Sequence, residues 1–267
     1  MGRDRRATVI ELQDVTTGYG SKALARHVTL DIYKGEIFGI VGGSGCGKST
    51  LMRHMIGLYP PLDGRILILG RDITRARGRH LTEILRRIGV MYQSGALFGS
   101  MTLLENVALP LEEHTDLPQE ARCQVARLKL KLVGLEGFED YMPDEISGGM
   151  AKRAAVARAM ALDPEVLFLD EPSAGLDPIT SAELDALIKE LSESLETTFV
   201  IVTHELASIF AIMDRVVMLD KDAQGVVAVG DPRKLRDESD DPRVRRFFNR
   251  GLTAIAAESP GGEGSGK

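Results

Sequence analysis

The sequence predicts an α/β fold: a parallel-sheet core with an N-terminal antiparallel β layer and an inserted α-helical subdomain. Three observations predict it. Ile37 to Val41, Val166 to Leu169 and Phe199 to Val202 are nearly continuous apolar runs, as in strands covered on both faces. Val9 to Val15 and Val28 to Ile32 instead alternate apolar with polar residues, the period of strands with one wet face. From about Ser94 to Leu162 the spacing turns helical, with Val125, Leu128, Leu132 and Leu135 three or four apart and Pro110, Pro118 and Pro143 as punctuation.

With 267 residues, 43% of them hydrophobic, the chain can bury a substantial core. A net charge of -6 offers nucleic acid no broad attraction, because non-specific binding needs many phosphates neutralised by Lys and Arg. Two cysteines, Cys46 and Cys123, cannot build a disulfide framework and point to a reducing compartment. No apolar run approaches the roughly 18 residues that cross a bilayer, and Met1 to Arg6 lacks the apolar stretch of a signal peptide. Arg6 also stands where a myristoylation motif wants Ser or Thr.

After the first apolar strand comes Gly42-Gly43-Ser44-Gly45-Cys46-Gly47-Lys48-Ser49, which matches G-x-x-x-x-G-K-[ST] and leads into a helix-compatible run from Thr50. The glycines let successive N–H groups point at phosphate oxygens, and the helix adds its positive N-terminal end. Lys48 is expected to reach the β- and γ-phosphates of ATP. The Ser49 hydroxyl is expected to ligate Mg²⁺, with Thr50 beside the bound nucleotide. A phosphate loop alone leaves kinases, GTPases and transport ATPases open.

Further on, Ser147-Gly148-Gly149-Met150 opens a helix-compatible run from Ala151 to Leu162, and the strand from Val166 ends in Asp170-Glu171. Ser is a common N-cap and Gly-Gly a common turn, so Ser147 to Gly149 reads equally as an ordinary helix start. Adjacent carboxylates at a strand end can divide the neutralising of phosphate charge from the orienting of a nucleophile.

Taken together these motifs resemble the ATP-binding cassette family, whose core is a P-loop NTPase (RecA-like) sheet, and the match covers nearly the whole chain. The resemblance implies that Ser147, Gly148 and Gly149 are the signature motif, facing a γ-phosphate. It makes Asp170 a holder of Mg²⁺ through coordinated water and Glu171 the group that polarises the attacking water. Gln93 takes the place of the Q-loop glutamine that senses Mg²⁺, His204 that of the switch histidine and Asp177 that of the D-loop aspartate. Tyr19 lies where an aromatic ring packs on adenine; a core or hairpin tyrosine is the alternative. Met150 replaces a frequent glutamine and Ala174 a more usual D-loop serine. Neither position supplies phosphate-binding amides or carboxylates.

In that family each ATP lies between the phosphate loop of one protomer and the Ser-Gly-Gly of the other, which implies a homodimer of the cassette or a closely related partner. A separate integral membrane permease would take up the work, its helix docking beside Gln93 on Leu97, Phe98 and Met101. The segments Asn106-Val107-Ala108, Pro110 to Thr115, Asp177 to Ser181 and Asp241 to Phe248 further resemble ATPases of Mce-associated, Mla-type lipid transporters. That resemblance implies an MlaE-like permease, an MlaD-like Mce-domain protein, phospholipid cargo and a peripheral place on the cytoplasmic face of the inner membrane. Met150 then becomes a subfamily trait. A polar amino-acid importer would use the same motifs. A soluble cassette of DNA repair or translation would want a coiled-coil insertion, a second cassette or a basic surface. A non-hydrolysing scaffold is disfavoured by Glu171 and His204.

The expected organisation is a nucleotide-binding domain over 1–238, with the helical subdomain at about 94–162, a helical extension over 239–250 and a disordered tail over 251–267. From Ser259 the tail is nearly all Gly, Ser and charge, too little apolar surface to offset ordering entropy. In the extension one helical turn gathers Val244, Phe247 and Phe248 on a common face. That face packs either on its own domain or on a neighbouring protein.

Overall fold

The computed structural model describes residues 7–257, with side chains described to residue 250. The chain opens on a hairpin of β1 (Thr8–Tyr19) and β2 (Lys22–Tyr33), and β3 (Ile37–Gly42) then enters α1 (Lys48–Met55) through the glycine loop. After β4 (Asp63–Ile68) and the short β5 (Arg71–Asp72) come α2 (Gly78–Leu85) and β6 (Ile88–Met91). A helical layer follows: α3 (Leu103–His114), α4 (Gln119–Leu132), one tight turn at Pro143–Glu145 and α5 (Gly148–Ala159). The chain then runs through β7 (Val166–Asp170), α6 (Pro178–Leu195), β8 (Thr198–Val202), α7 (Leu206–Ile212), β9 (Arg215–Asp220) and β10 (Gly225–Gly230). It closes with α8 (Pro232–Glu238) and α9 (Pro242–Ala257).

Two sheets form. One is antiparallel in the order β2-β1-β4-β5, with Ile10 opposite Ile32 and Leu12 opposite Leu30. The other runs β10-β9-β3-β8-β7-β6 and is parallel from β9 to β6, with β10 added antiparallel at one edge. The side-chain alternation of strands explains why its central members read as continuous apolar runs. In β7, Val166 and Phe168 enter the core shared with the antiparallel sheet and α1, while Leu167 and Leu169 enter the core under the helical layer. In β8, Val200 and Val202 take the first side, and Phe199 and Ile201 the second. Each such side chain contributes about 1.5–3 kcal/mol relative to exposure.

Helix starts follow capping chemistry. The Thr102 hydroxyl accepts from Glu105 N–H and the Glu105 carboxylate accepts from Thr102 N–H, a reciprocal box that begins α3. Asp177 accepts from the N–H groups of Ile179 and Thr180, ahead of Pro178 at the first helical position of α6.

Several expectations are corrected. Pro110 lies inside α3 rather than marking its boundary, because the box at Thr102 and the burial of Leu103, Val107 and Leu111 outweigh the hydrogen bond proline removes. The helical spacing of Val125, Leu128, Leu132 and Leu135 does fall on and just past α4, but the buried positions are Ala126, Lys129, Leu130 and, just beyond, Val133 and Leu135, whereas Leu128 is 54% exposed and Leu132 37% exposed. Both sets satisfy the helical period, and only packing against α3 and α5 selects between them. The last helix does not stop at 250 but continues to Ala257, since the leucine and alanines beyond Gly251 are strong helix formers. The rest of the expected disordered tail, 258–267, and the first six residues lie outside the described residues. The extension packs on its own domain: Val244, Phe247 and Phe248 are buried in the core under the helical layer, and the ring of Phe248 sits 5.9 Å from that of Phe210 in α7.

Candidate functional site

The strand β3 ends at Gly42 with φ 143°, where a Cβ would come 2.2 Å from the Leu219 carbonyl oxygen, so only glycine lets the chain turn there. The loop then enters α1 through Gly47, also left-handed at φ 101°. The first N–H groups of α1 have no partner within the helix, as at any helix start, and the positive end of the helix adjoins the loop's hollow, which favours an anion. Lys48 is buried, and its Nζ donates to the carbonyls of Gly42 and Gly43, both at 3.0 Å. A Cβ at Gly43 or Gly45 would meet nothing within 4 Å, so the loop borders open space there. The hollow is a cavity of ≈ 490 Å³ whose walls include Ser44, Lys48, Ser49, Gln93, Glu171 and His204. Cys46 turns inward, a free thiol whose pKa burial pushes up.

The second wall comes from the end of β7. The Ser49 hydroxyl donates to Asp170 Oδ1 at 3.0 Å, joining the phosphate loop to the strand end. Burial raises the Asp170 pKa and neighbouring Glu171 adds to the rise, against the Ser49 hydrogen bond and the charges of Arg53 and Lys48. Glu171 adopts φ 48°, a strained conformation for a non-glycine residue, held by its N–H donating to the Val202 carbonyl at 2.8 Å. Its Oε1 lies 2.8 Å from His204 Nδ1, while Oε2 is buried with no protein partner. An ionised carboxylate only accepts, so Nδ1 carries the proton and Nε2 is the nitrogen left to the cavity. Gln93 lines this cavity and also a neighbouring one of ≈ 610 Å³ that reaches Arg53, Asp170 and Ala174.

A nucleotide and a metal ion can be tested against these residues. The glycine-lined hollow, the lysine resting on carbonyls that phosphate oxygens can replace, and the orphaned Glu171 oxygen all fit a polyphosphate with an attacking water. Ser49 and Asp170 offer hard oxygen donors that suit Mg²⁺, and among the described residues no cluster of three or more His, Cys, Asp or Glu could cage a metal unaided. Mg²⁺ commonly relies on substrate phosphates and waters for its remaining ligands.

Tyr19 is 42% exposed at the end of β1; its hydroxyl accepts from Thr50 at 3.3 Å and from Arg53 at 2.9 Å. Burial pushes its pKa up, but those two hydrogen bonds outweigh this and lower it. The ring meets Tyr59 edge-on at 5.7 Å. It is therefore neither a core residue nor free, but a fixed aromatic at the side of α1.

The remaining predicted residues stand apart. Ser147 caps α5 by accepting from the Met150 N–H, and Gly148 and Gly149 sit against Leu176 and Thr180 rather than in the phosphate cavity. A Cβ at Gly149 would lie 2.5 Å from Thr180 Cγ2. The Asp177 carboxylate is committed to the start of α6, and Thr180 Oγ1 donates to it at 2.6 Å.

Other residues at the site carry no motif of their own. Lys152 of α5 is buried and its Nζ donates to the Gln93 carbonyl; burial lowers its pKa while Glu171 opposes that shift. Arg158 of the same helix donates to the carbonyls of Ala96, at 2.7 Å, and Gly95, at 2.9 Å. Arg250 of α9 lines the phosphate cavity and its Nη2 donates to the His204 carbonyl. The only sequence signal for the α5 pair was two cations spaced along one helix.

Residues 25–174 match the family model described as ABC transporter. The chain is 41% identical over 240 residues to the intermembrane phospholipid transport system ATP-binding protein MlaF of Haemophilus influenzae, covering 90% of both chains. It is 43% identical over 248 residues to a probable ribonucleotide transport ATP-binding protein, mkl, of Mycobacterium leprae, covering 93% of this chain and 71% of that one. Among solved structures, the dimeric post-hydrolysis state of the ATP-binding cassette MJ0796 bound to ADP and Pi is 33% identical with a TM-score of 0.74, covering 83% of this chain and 98% of that chain.

Proposed function

Since the chain belongs to the ABC transporter family, as an ATP-binding and ATP-hydrolysing subunit, we propose that it drives phospholipid movement between bacterial membranes through a separate permease and an Mce-domain partner. The observation that carries the reading is the gathering of Lys48, Ser49, Glu171 and His204 around one polyphosphate-sized cavity, with Asp170 accepting from Ser49 behind it, in a chain that matches MlaF over 90% of both lengths. Lys48 and the loop amides bind the phosphates, and Tyr19 packs on the adenine. Ser49, Asp170 and Gln93 hold Mg²⁺, which neutralises charge on the transferring phosphoryl group. Glu171 Oε2 accepts from the attacking water, and His204 Nε2 meets the terminal phosphate.

The cassette works as a homodimer. Its Ser147-Gly148-Gly149 helix start lies outside the cavity of its own chain, which supports a site completed by the same residues of a second copy. Asp177, at the neighbouring start of α6, belongs to that interface through the cap it forms. ATP bridges two faces that hydrolysis releases, a ligand-biased switch between closed and open forms.

Among the described residues no helix is long and apolar enough to cross a membrane. In this reading the permease is a separate chain and the subunit sits peripherally on the cytoplasmic face of the inner membrane, which the likeness to MlaF supports. Phe98 is 50% exposed beside the Gln93 loop and, with Leu97 and Met101, offers the permease an apolar seat. The mycobacterial relatives carry another cargo in their names, so cargo is what the experiment must decide. Glu171→Gln protein is recovered with ATP from detergent-solubilised membranes. Co-recovery of an Mce-domain protein is expected; a solute-uptake permease in its place overturns the lipid reading.

A further inference from the structure

The switch loop around His204 is pinned from a distant part of the chain. It runs from Thr203 to Glu205 between β8 and α7: Thr203 N–H donates to the Ile40 carbonyl at 3.3 Å, Glu205 N–H to Thr203 Oγ1 at 3.1 Å and Ser173 Oγ to the Glu205 carboxylate at 3.0 Å, while the His204 ring meets Glu171. The His204 main chain is fastened from α9, where Arg250 Nη2 donates to the His204 carbonyl. The Arg250 guanidinium stacks over Phe247, 4.7 Å from the ring centroid, which fixes the plane of the fork before it meets the carbonyl. Phe247 and Phe248 are themselves buried, and Phe248 packs on Phe210 of α7, the helix that follows the switch loop. Arg250 also lines the phosphate cavity together with Lys48, Ser49, Glu171 and His204.

We propose that Arg250 is a positioning residue for ATP turnover: through the His204 main chain it holds the imidazole between Glu171 and the terminal phosphate, making the C-terminal helix part of the nucleotide site. The proposal rests on the reading that His204 meets that phosphate. The physical demand is steep, because His204 must keep Nδ1 on Glu171 and Nε2 toward the nucleotide at once, and displacements near 1 Å in such a constellation lower rates many-fold. Any movement of α9 is thereby passed to the switch loop.

The test uses the full-length chain purified with its membrane partners, comparing the parent with Arg250→Ala, Arg250→Lys, His204→Ala and the double variant Arg250→Ala with His204→Ala. Turnover is measured together with affinity for a non-hydrolysed ATP analogue and for ADP. Arg250→Ala is expected to lower kcat roughly three- to tenfold and to narrow the preference for the ATP analogue over ADP, with ADP affinity and Tm unchanged. Arg250→Lys keeps a donor for the carbonyl and recovers part of both losses. In the His204→Ala background, removing Arg250 has no further effect on the nucleotide preference, since the group it positions is gone. An Arg250→Ala chain within twofold of the parent on both readouts, beside an impaired His204→Ala, overturns the inference alone. So does an equal loss of preference in both backgrounds. A His204→Ala chain that keeps parental turnover and preference instead overturns the reading of His204 itself.

Discussion

Nδ1 of His204 lies 2.8 Å from Oε1 of Glu171, whose other oxygen is buried without a partner. The carboxylate therefore has two faces, one holding the imidazole tautomer and one buried with its acceptor capacity unused. Glu171→Gln keeps an acceptor for Nδ1–H and removes the basic oxygen. Turnover is expected to fall about 10²- to 10⁴-fold while equilibrium ATP binding stays near that of the parent. Near-normal steady-state hydrolysis by this variant excludes the water-orienting role.

The carboxylate of Asp170 is buried beside Glu171, and its pKa is raised by burial first and by Glu171 next. A raised carboxyl pKa means that stability is fully present at low pH and is lost as pH rises from the unfolded value, 3.8, through the higher folded one. At neutral pH the charge therefore weakens the nucleotide-free fold. Asp170→Asn, which can still accept from Ser49, is expected to raise Tm on the order of 2 °C while Mg²⁺-supported hydrolysis collapses. Differential scanning calorimetry without nucleotide checks the first and a Mg²⁺ titration the second. A lowered Tm contradicts the sign.

Glu36 is 1% exposed and accepts from Arg215 Nη1 at 2.9 and 3.1 Å and from Tyr33 N–H at 2.7 Å. Arg215→Ala leaves that carboxylate buried and unpaired, at an expected loss of about 3–5 kcal/mol in urea unfolding. Burial already raises the Glu36 pKa, so the loss shrinks in acid, where the group takes up a proton. Glu36→Gln in the same chain recovers part of it. A loss below about 1 kcal/mol at neutral pH would mean that the pair behaves like a surface one.

Hydrogen bonds from the Arg243 side chain hold the Asp241 pKa at about 2, below its usual 3.8, at the start of α9. A depressed carboxyl pKa contributes stability above the unfolded value and loses it as pH falls toward the folded one. The Tm difference between the parent and Asp241→Asn is therefore expected to be constant above about pH 4 and to disappear toward pH 2. A difference that grows with acid rules out this pairing as its source.

The parts of this protein that could be read from sequence are those whose chemistry is contiguous along the chain. The helix entry of the phosphate loop and the Asp177-Pro178 helix start hold their geometry within a few residues, and the apolar run before Asp170-Glu171 marks its strand, so spacing announces them, although Glu171 itself is held by the distant Val202 carbonyl. Leu128 and Leu132 show where this fails: α4 carries two apolar stripes, and its neighbours, not its period, choose between them. Pro110 fails likewise, because its local signal is overruled by side chains buried against other helices. Lys152, Arg158 and Arg250 reach main-chain carbonyls 59, 62 and 46 positions away, and nothing local to an arginine or lysine says which carbonyl it will find.

Lys152 and Arg158 clamp the segment from Gln93 to Ala96 entirely through its carbonyl oxygens. A link of that kind is indifferent to the side chains it grips. Apart from Gln93, whose side chain the proposed metal site uses, and the left-handed Gly95, the loop facing the proposed permease can thus exchange its residues during evolution, refitting to a changed membrane partner, while the helical layer keeps the same hold on the sheet. Adaptation to a new partner and preservation of the motor are separable at the level of single substitutions.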